Sequence, residues 1–78
     1  MFKIKSKEYL EKMGFVSKGE TGDYICVGTG KDGYKKVLFK VYFGSPYVRC
    51  STSTYAYEYQ LKLIHEWTKQ DYIEWEDE

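Results

Sequence analysis

The stretch GTGKDG at residues 28–33 matches the glycine pattern G-x-G-x-x-G, and the strand-like run DYICV comes just before it. In a dinucleotide site such glycines open a helix, because the phosphates rest on the free N–H groups of its first turn. Here they open YKKVLFKVYF, whose apolar residues recur with a period of two. A P-loop needs G-x-x-x-x-G-K followed by Ser or Thr, whereas Gly33 is followed by Tyr34, Lys35 and Lys36. Asp32-Gly33 between two alternating runs is a hairpin signal instead. The stretch reads as a turn.

The other residue types that do chemistry are sparse. The single histidine, His65, falls among charges on the polar side of a helical pattern, with no nucleophile that can be placed beside it. Cys26 and Cys50 sit in strand-like runs, where small buried thiols are common. A bridge between them requires those strands to be neighbours. Two cysteines and one histidine do not complete a closed four-ligand zinc set at familiar spacing. A flexible acidic terminus offers no fixed carboxylate pair for acid–base work. A non-enzymatic protein without metal or cofactor is expected.

The formal net charge of zero conceals an asymmetry. Residues 1–40 hold nine lysines against five acids, a balance of +4. Residues 41–78 hold one arginine and two lysines against seven acids, a balance of −4. After Lys69 every charge is negative. A basic end and an acidic end that meet different partners, or a solvated tail that aids solubility, both fit this pattern. The chain carries no leading apolar signal segment and no run long enough to span a membrane, so a cytoplasmic protein with reduced thiols is expected.

These residues must be positioned by few elements, since 78 residues make one small domain. Its core is correspondingly small, and an aromatic content of 19% supplies large buried rings in place of a covalent staple. Ser6 before KEYLEKM and Gly14 after it predict a helix over about 7–13, with Phe15 folding back past the glycine. Strands are predicted at Tyr24–Val27, through YKKVLFKVYF, and from Tyr47 to Thr52. Thr54 caps a second predicted helix reaching about Lys69. It gathers Ala56, Tyr57, Leu63, Ile64 and Trp67 on one side, and pairs Glu58 with Lys62 on the other. The expected fold is α+β: a three-stranded antiparallel meander with two helices on one face, in the order α-β-β-β-α. Its expected core is Ile25, Val27, Val37, Phe39, Val41, Val48 and Cys50.

This phase turns Tyr24, Lys40, Tyr42, Tyr47 and Arg49 outward. Aromatics interleaved with basic groups on an open sheet stack bases and hold phosphates in single-strand binders. Tyrosine and arginine also anchor protein interfaces, and cross-strand pairing alone accounts for them as well. The C-terminal segment 70–78 alternates acids with aromatics. Tyr72, Glu74 and Trp75 there form either a docking peptide for a basic groove or a turn packed back on the domain.

The opening SKEYLEKMGFVSKGETGDYICV resembles the start of HicA-type toxins, small ribonucleases with a double-stranded-RNA-binding-like α-β-β-β-α fold. The capped helix, the Gly14-Phe15 exit and the strand after a polar loop carry the likeness. That family places its catalytic histidine near the start of the first strand, after Gly-Ser, where this chain reads Gly22-Asp23-Tyr24. No catalytic residue is therefore implied here. Double-stranded-RNA-binding domains are similar in element order, but STSTYAYEY replaces their lysine cluster at the second helix. In composition the chain also looks like small orphan proteins of Gram-positive phages, many of which bind and block a host protein. Together these features favour a protein-binding module, for example an anti-CRISPR-like inhibitor of a host nucleic-acid enzyme or defence complex. A nucleic-acid-binding module using the same sheet face is the alternative, and a HicA-like ribonuclease is a further one.

Overall fold

A computed structural model describes residues 1–51 and 57–77, with Tyr57 described by its backbone alone. Among these residues six strands form one antiparallel sheet: β1 (Phe2–Ile4), β2 (Val16–Ser17), β3 (Tyr24–Thr29), β4 (Lys35–Val41), β5 (Tyr47–Cys50) and β6 (Ile73–Trp75). Helix α1 (Tyr9–Lys12) is a single turn, and α2 (Tyr57–Lys69) is the one long helix described. The spatial order β2-β3-β4-β5-β1-β6 places the N-terminal strand inside the sheet.

This arrangement overturns the expected three-stranded, two-helix fold. The meander β3–β4–β5 is present and antiparallel. Three short strands extend it: β2 beside β3, then β1 and β6 beyond β5. Each has two or three residues, too few for a period of two to register in sequence. The chain order also departs from the α-β-β-β-α order of the resembled families.

Both helices end by the same device. Phe15 N–H donates to the Leu10 carbonyl at 3.0 Å and Gly14 N–H to Glu11 at 3.0 Å, with Gly14 at φ 92°. This is the left-handed stop that glycine permits, and it turns Phe15 into the core. At the end of α2, Tyr72 N–H donates to Trp67 and Asp71 N–H to Thr68, with Asp71 itself at φ 65°. An aspartate thus stands where glycine is usual, and it pairs with Lys5. Ser6 serves α1 through its hydroxyl, which accepts from Glu8 N–H, and its carbonyl, which accepts from Tyr9 N–H. The helix is shorter than the expected 7–13. The Thr54 cap and Ala56 lie outside the described residues.

Helix α2 lays Gln60 and Trp67 fully, and Leu63 and Ile64 partly, against one face of the sheet. The Trp67 ring meets Phe39 edge-on at 4.9 Å and Phe15 at 5.6 Å, joining helix, sheet and the α1 exit in one core. Glu58 pairs with Lys31 at 3.2 Å, in place of the expected i, i+4 partner Lys62.

The expected core is wrong in part: a β-bulge displaces Val37, and β3 has the opposite phase from the one expected, which turns Ile25 and Val27 outward. Cys26 registers with Phe39 but Val27 with Val37, so Leu38 is an extra residue in β4. Leu38 and Phe39 are both fully buried, and Leu38 reaches toward Gly28 and Tyr59 on the α2 side. Upstream of the bulge the alternation reverses: Val37 leaves the core and pairs with exposed Val27 on the opposite face. In β3 the buried residue is Cys26, with Ile25 only half-buried. Cys50 is exposed, although Phe39, Val41 and Val48 are in the core as expected.

Gln60 adds a side-chain donor at the bulge, beside the Ser51 N–H that the Leu38 carbonyl already accepts. Its side-chain N–H₂ donates to the Leu38 carbonyl at 2.9 Å and to the Ser51 carbonyl at 2.7 Å. Replacing it by leucine keeps the volume but removes both bonds, leaving the Leu38 carbonyl only the Ser51 N–H at 2.9 Å. Gln60→Leu is expected to lower unfolding free energy by about 1–3 kcal/mol in urea titration. Gly28 lies under the same feature, where an added Cβ would stand 2.5 Å from Leu38 and 2.9 Å from Tyr59. Gly28→Ala is expected to cost about 1–3 kcal/mol in the same assay, through overpacking.

Candidate binding surface on the helix-free sheet face

The turn that opened the sequence question is a hairpin tip. Gly33 N–H donates to Gly30 at 3.0 Å, Gly30 N–H to Tyr34 at 2.9 Å, and Gly33 takes φ 84°. Strand β4 follows, so no helix terminus faces these glycines. The Asp32 carboxylate caps the turn by accepting from Tyr34 N–H at 3.1 Å and pairing with Lys36 at 3.1 Å. Those contacts, the Tyr34 N–H first, hold the Asp32 carboxyl below the usual carboxylate value.

The thiols are far from activation. Cys26 and Cys50 both register with Phe39, one from each side of β4. Two strand spacings, about 10 Å, separate them, beyond the ~7 Å limit for a disulfide. Both are free, and desolvation raises both thiols above their ordinary value. Neither is a pre-formed thiolate nucleophile. His65 is exposed on α2. Among the described residues no three His, Cys, Asp or Glu side chains gather as metal ligands, and no helix is long and apolar enough to cross a membrane.

The sheet face opposite α2 is different in character. Register places Val16, Ile25, Lys40 and Arg49 in one row across four strands. Val27 and Val37 form the next pair, beyond the bulge. Val16 is 57% exposed, Val27 43% and Tyr42 44%, so this face is apolar and open at its β2–β4 end. Lys40 and Arg49 stand directly opposite each other, a like-charge pair that costs stability unless it is compensated. Neither lies within ion-pair distance of a carboxylate among the described residues. The Arg49 guanidinium rests 5.6 Å from the Tyr42 ring centre. Lys40, Tyr42, Arg49, Cys50 and Ser51 line a shallow cleft of about 280 Å³.

The structure divides the residues singled out in the sequence. Lys40, Tyr42, Tyr47 and Arg49 share the helix-free face, as their alternation predicts. Tyr24 does not: it registers with buried Val41 and packs against the core. Tyr47 is half-buried, and its hydroxyl donates to Glu76 at 2.9 Å. Tyr72 packs on the core and stacks on Tyr9 at 4.9 Å. Glu74 and Trp75 belong to β6. Val27 and Val37, which the sequence pattern assigns to the core, face the open side for different reasons: β3 has the opposite phase, with Cys26 inward, and the bulge reverses β4 at Val37.

No protein-family model, curated protein or solved structure matches this chain.

The Asp32 turn carries a pH signature with a defined sign. Its folded carboxyl titrates lower than in the unfolded chain, so the contribution is fully present above the unfolded value of about 3.9 and is lost as pH falls through the lower folded value. Asp32→Asn keeps an oxygen for Tyr34 but removes the charge. The wild-type advantage in urea midpoint over this variant is expected at neutral pH and should vanish in acid below that window.

Proposed function

We propose that this protein is a non-enzymatic binding module that occupies a partner protein through the helix-free face of its sheet. The observation that carries the reading is the Lys40–Arg49 pair, set beside exposed valines and left without carboxylate partners. Tyr42 and Arg49 are residue types that anchor interface centres, and the apolar row around Ile25 supplies area to bury. The cationic pair fits an acidic patch on the partner. A protein of this kind acts by covering a surface, as a small inhibitor of a nucleic-acid enzyme or defence complex does.

The same cations fit phosphates, but the rings favour a protein ligand. Single-strand binders stack successive bases on free aromatic faces. Here Arg49 occupies the neighbourhood of Tyr42, Tyr47 is tied to Glu76, and Tyr24 lies on the other side of the sheet. Valines hold the positions where stacking rings are needed.

Capture from host lysate tests this surface. The wild-type chain is expected to retain a saturable acidic protein, and Lys40→Glu with Arg49→Glu to weaken retention by about tenfold or more. Lys62→Ala on α2 should leave it unchanged. Equal retention by all three would sink the reading. Steeply salt-dependent gel shifts of single-stranded RNA, lost in the double charge variant, would replace it with the nucleic-acid alternative.

A further inference from the structure

The open face carries a pattern finer than its charge. Val16, Ile25, Lys40 and Arg49 stand in register on four successive strands, β2 to β5, so the row runs across the strands and not along them. Neighbouring strands lie about 4.8 Å apart, which places the four residues at about 0, 4.8, 9.6 and 14.4 Å along the row. A helix rises about 1.5 Å per residue, so its positions i, i+3, i+7 and i+10 stand at about 0, 4.5, 10.5 and 15 Å, all on one side. An extended segment laid the same way presents a side chain on one face only about every 6.8 Å and falls out of step with the strands. The two cations repeat the match at close range. Cross-strand partners hold their Cβ atoms about 4.5–5.5 Å apart, and helix residues three apart hold theirs about 5–6 Å apart.

We infer, resting on the open-face reading, that the partner presents an acidic amphipathic helix laid across the strands. Two carboxylates three residues apart meet Lys40 and Arg49. Two apolar residues three apart, one turn further along the same side, meet Ile25 and Val16. The spacing is symmetrical, so it serves either chain direction. The row is available for this contact. Arg49 is exposed and held over the Tyr42 ring, Val16 is 57% exposed, and neither cation has a carboxylate within ion-pair distance among the described residues. Carboxylates at that separation relieve the like-charge pair that the free protein carries. Val27 and Val37 flank the row and add apolar area beside the helix.

The probe is an alanine-rich peptide of about 18 residues with leucine at i and i+3 and glutamate at i+7 and i+10, made in both chain directions and locked as a helix by a lactam bridge outside these positions. Titrated into the isotope-labelled full chain, at least one direction is expected to shift the signals of Val16, Ile25, Lys40 and Arg49 saturably. Moving both glutamates to i+5 and i+8 carries them to the other side of the helix at unchanged charge, and should weaken binding about tenfold. The same peptide unfolded by two prolines should lose about as much. Lys40→Gln with Arg49→Gln should bind the matched and the moved peptide equally, at the level of the moved one. Capture of a lysate protein that depends on Lys40 and Arg49, together with a locked helix that binds no better than its proline form, overturns the helix and leaves the open-face reading standing. Absence of both overturns both. Equal binding of matched and moved peptides to the wild-type chain, or shifts that leave this row unmoved, would also overturn the inference. So would peptide-free shifts at the row that grow with protein concentration, which assign the face to a second copy.

Discussion

The bulge at Leu38 is the constraint on which the rest of this small domain depends. One extra residue in β4 brings Leu38 and Phe39 together on the helix side, where both are fully buried. Phe39 then meets Trp67, while Leu38 takes the space left by the missing side chain of Gly28. At the bulge the Leu38 carbonyl accepts the Ser51 N–H at 2.9 Å and keeps capacity for a second donor. Gln60 reaches from α2 to the Leu38 and Ser51 carbonyls and locks helix to sheet at that point. Polar satisfaction and apolar packing therefore specify the same docking of α2.

The second determinant is closure of the chain ends. Strand β1 lies between β5 and β6, so the N-terminal residues form interior ladder contacts. Lys3 and Tyr47 both reach Glu76, at 3.7 Å and 2.9 Å, and Met1 pairs with Glu76 through the backbone. What composition presents as a solvated acidic tail is thus partly neutralised and built into the sheet. The aspartate at φ 65° makes this geometry reachable by reversing the chain directly after α2.

The bulge and the closure divide the molecule into a covered face, an open basic face and a short edge at β6. Reversed alternation beyond Leu38 turns Val37 to the open face, where it meets Val27 of the regularly alternating β3, next to the Lys40–Arg49 row. Closure of the termini places Glu74 and Trp75 at the opposite edge.

Local chemistry determined much by itself. Asp32-Gly33 encodes the hairpin, Gly14 encodes the left-handed stop of α1, and the alternation around Phe39, Val41 and Val48 encodes their burial. In each case the deciding contacts are within a few residues, so the sequence displays them. Only the tertiary structure decided the phase of Leu38, Val37 and Val27, the placing of Tyr24, and the pairing of residues 2–4 with residues 73–75. A bulge is defined by a partner strand and leaves no period of its own. A pairing across more than seventy residues has no local signature either, because its stabilisation comes from contacts that exist only once the intervening chain has folded. GTGKDG shows the division within six residues. Its turn is local, whereas the reason residue 28 must lack a side chain lies in Leu38 and Tyr59.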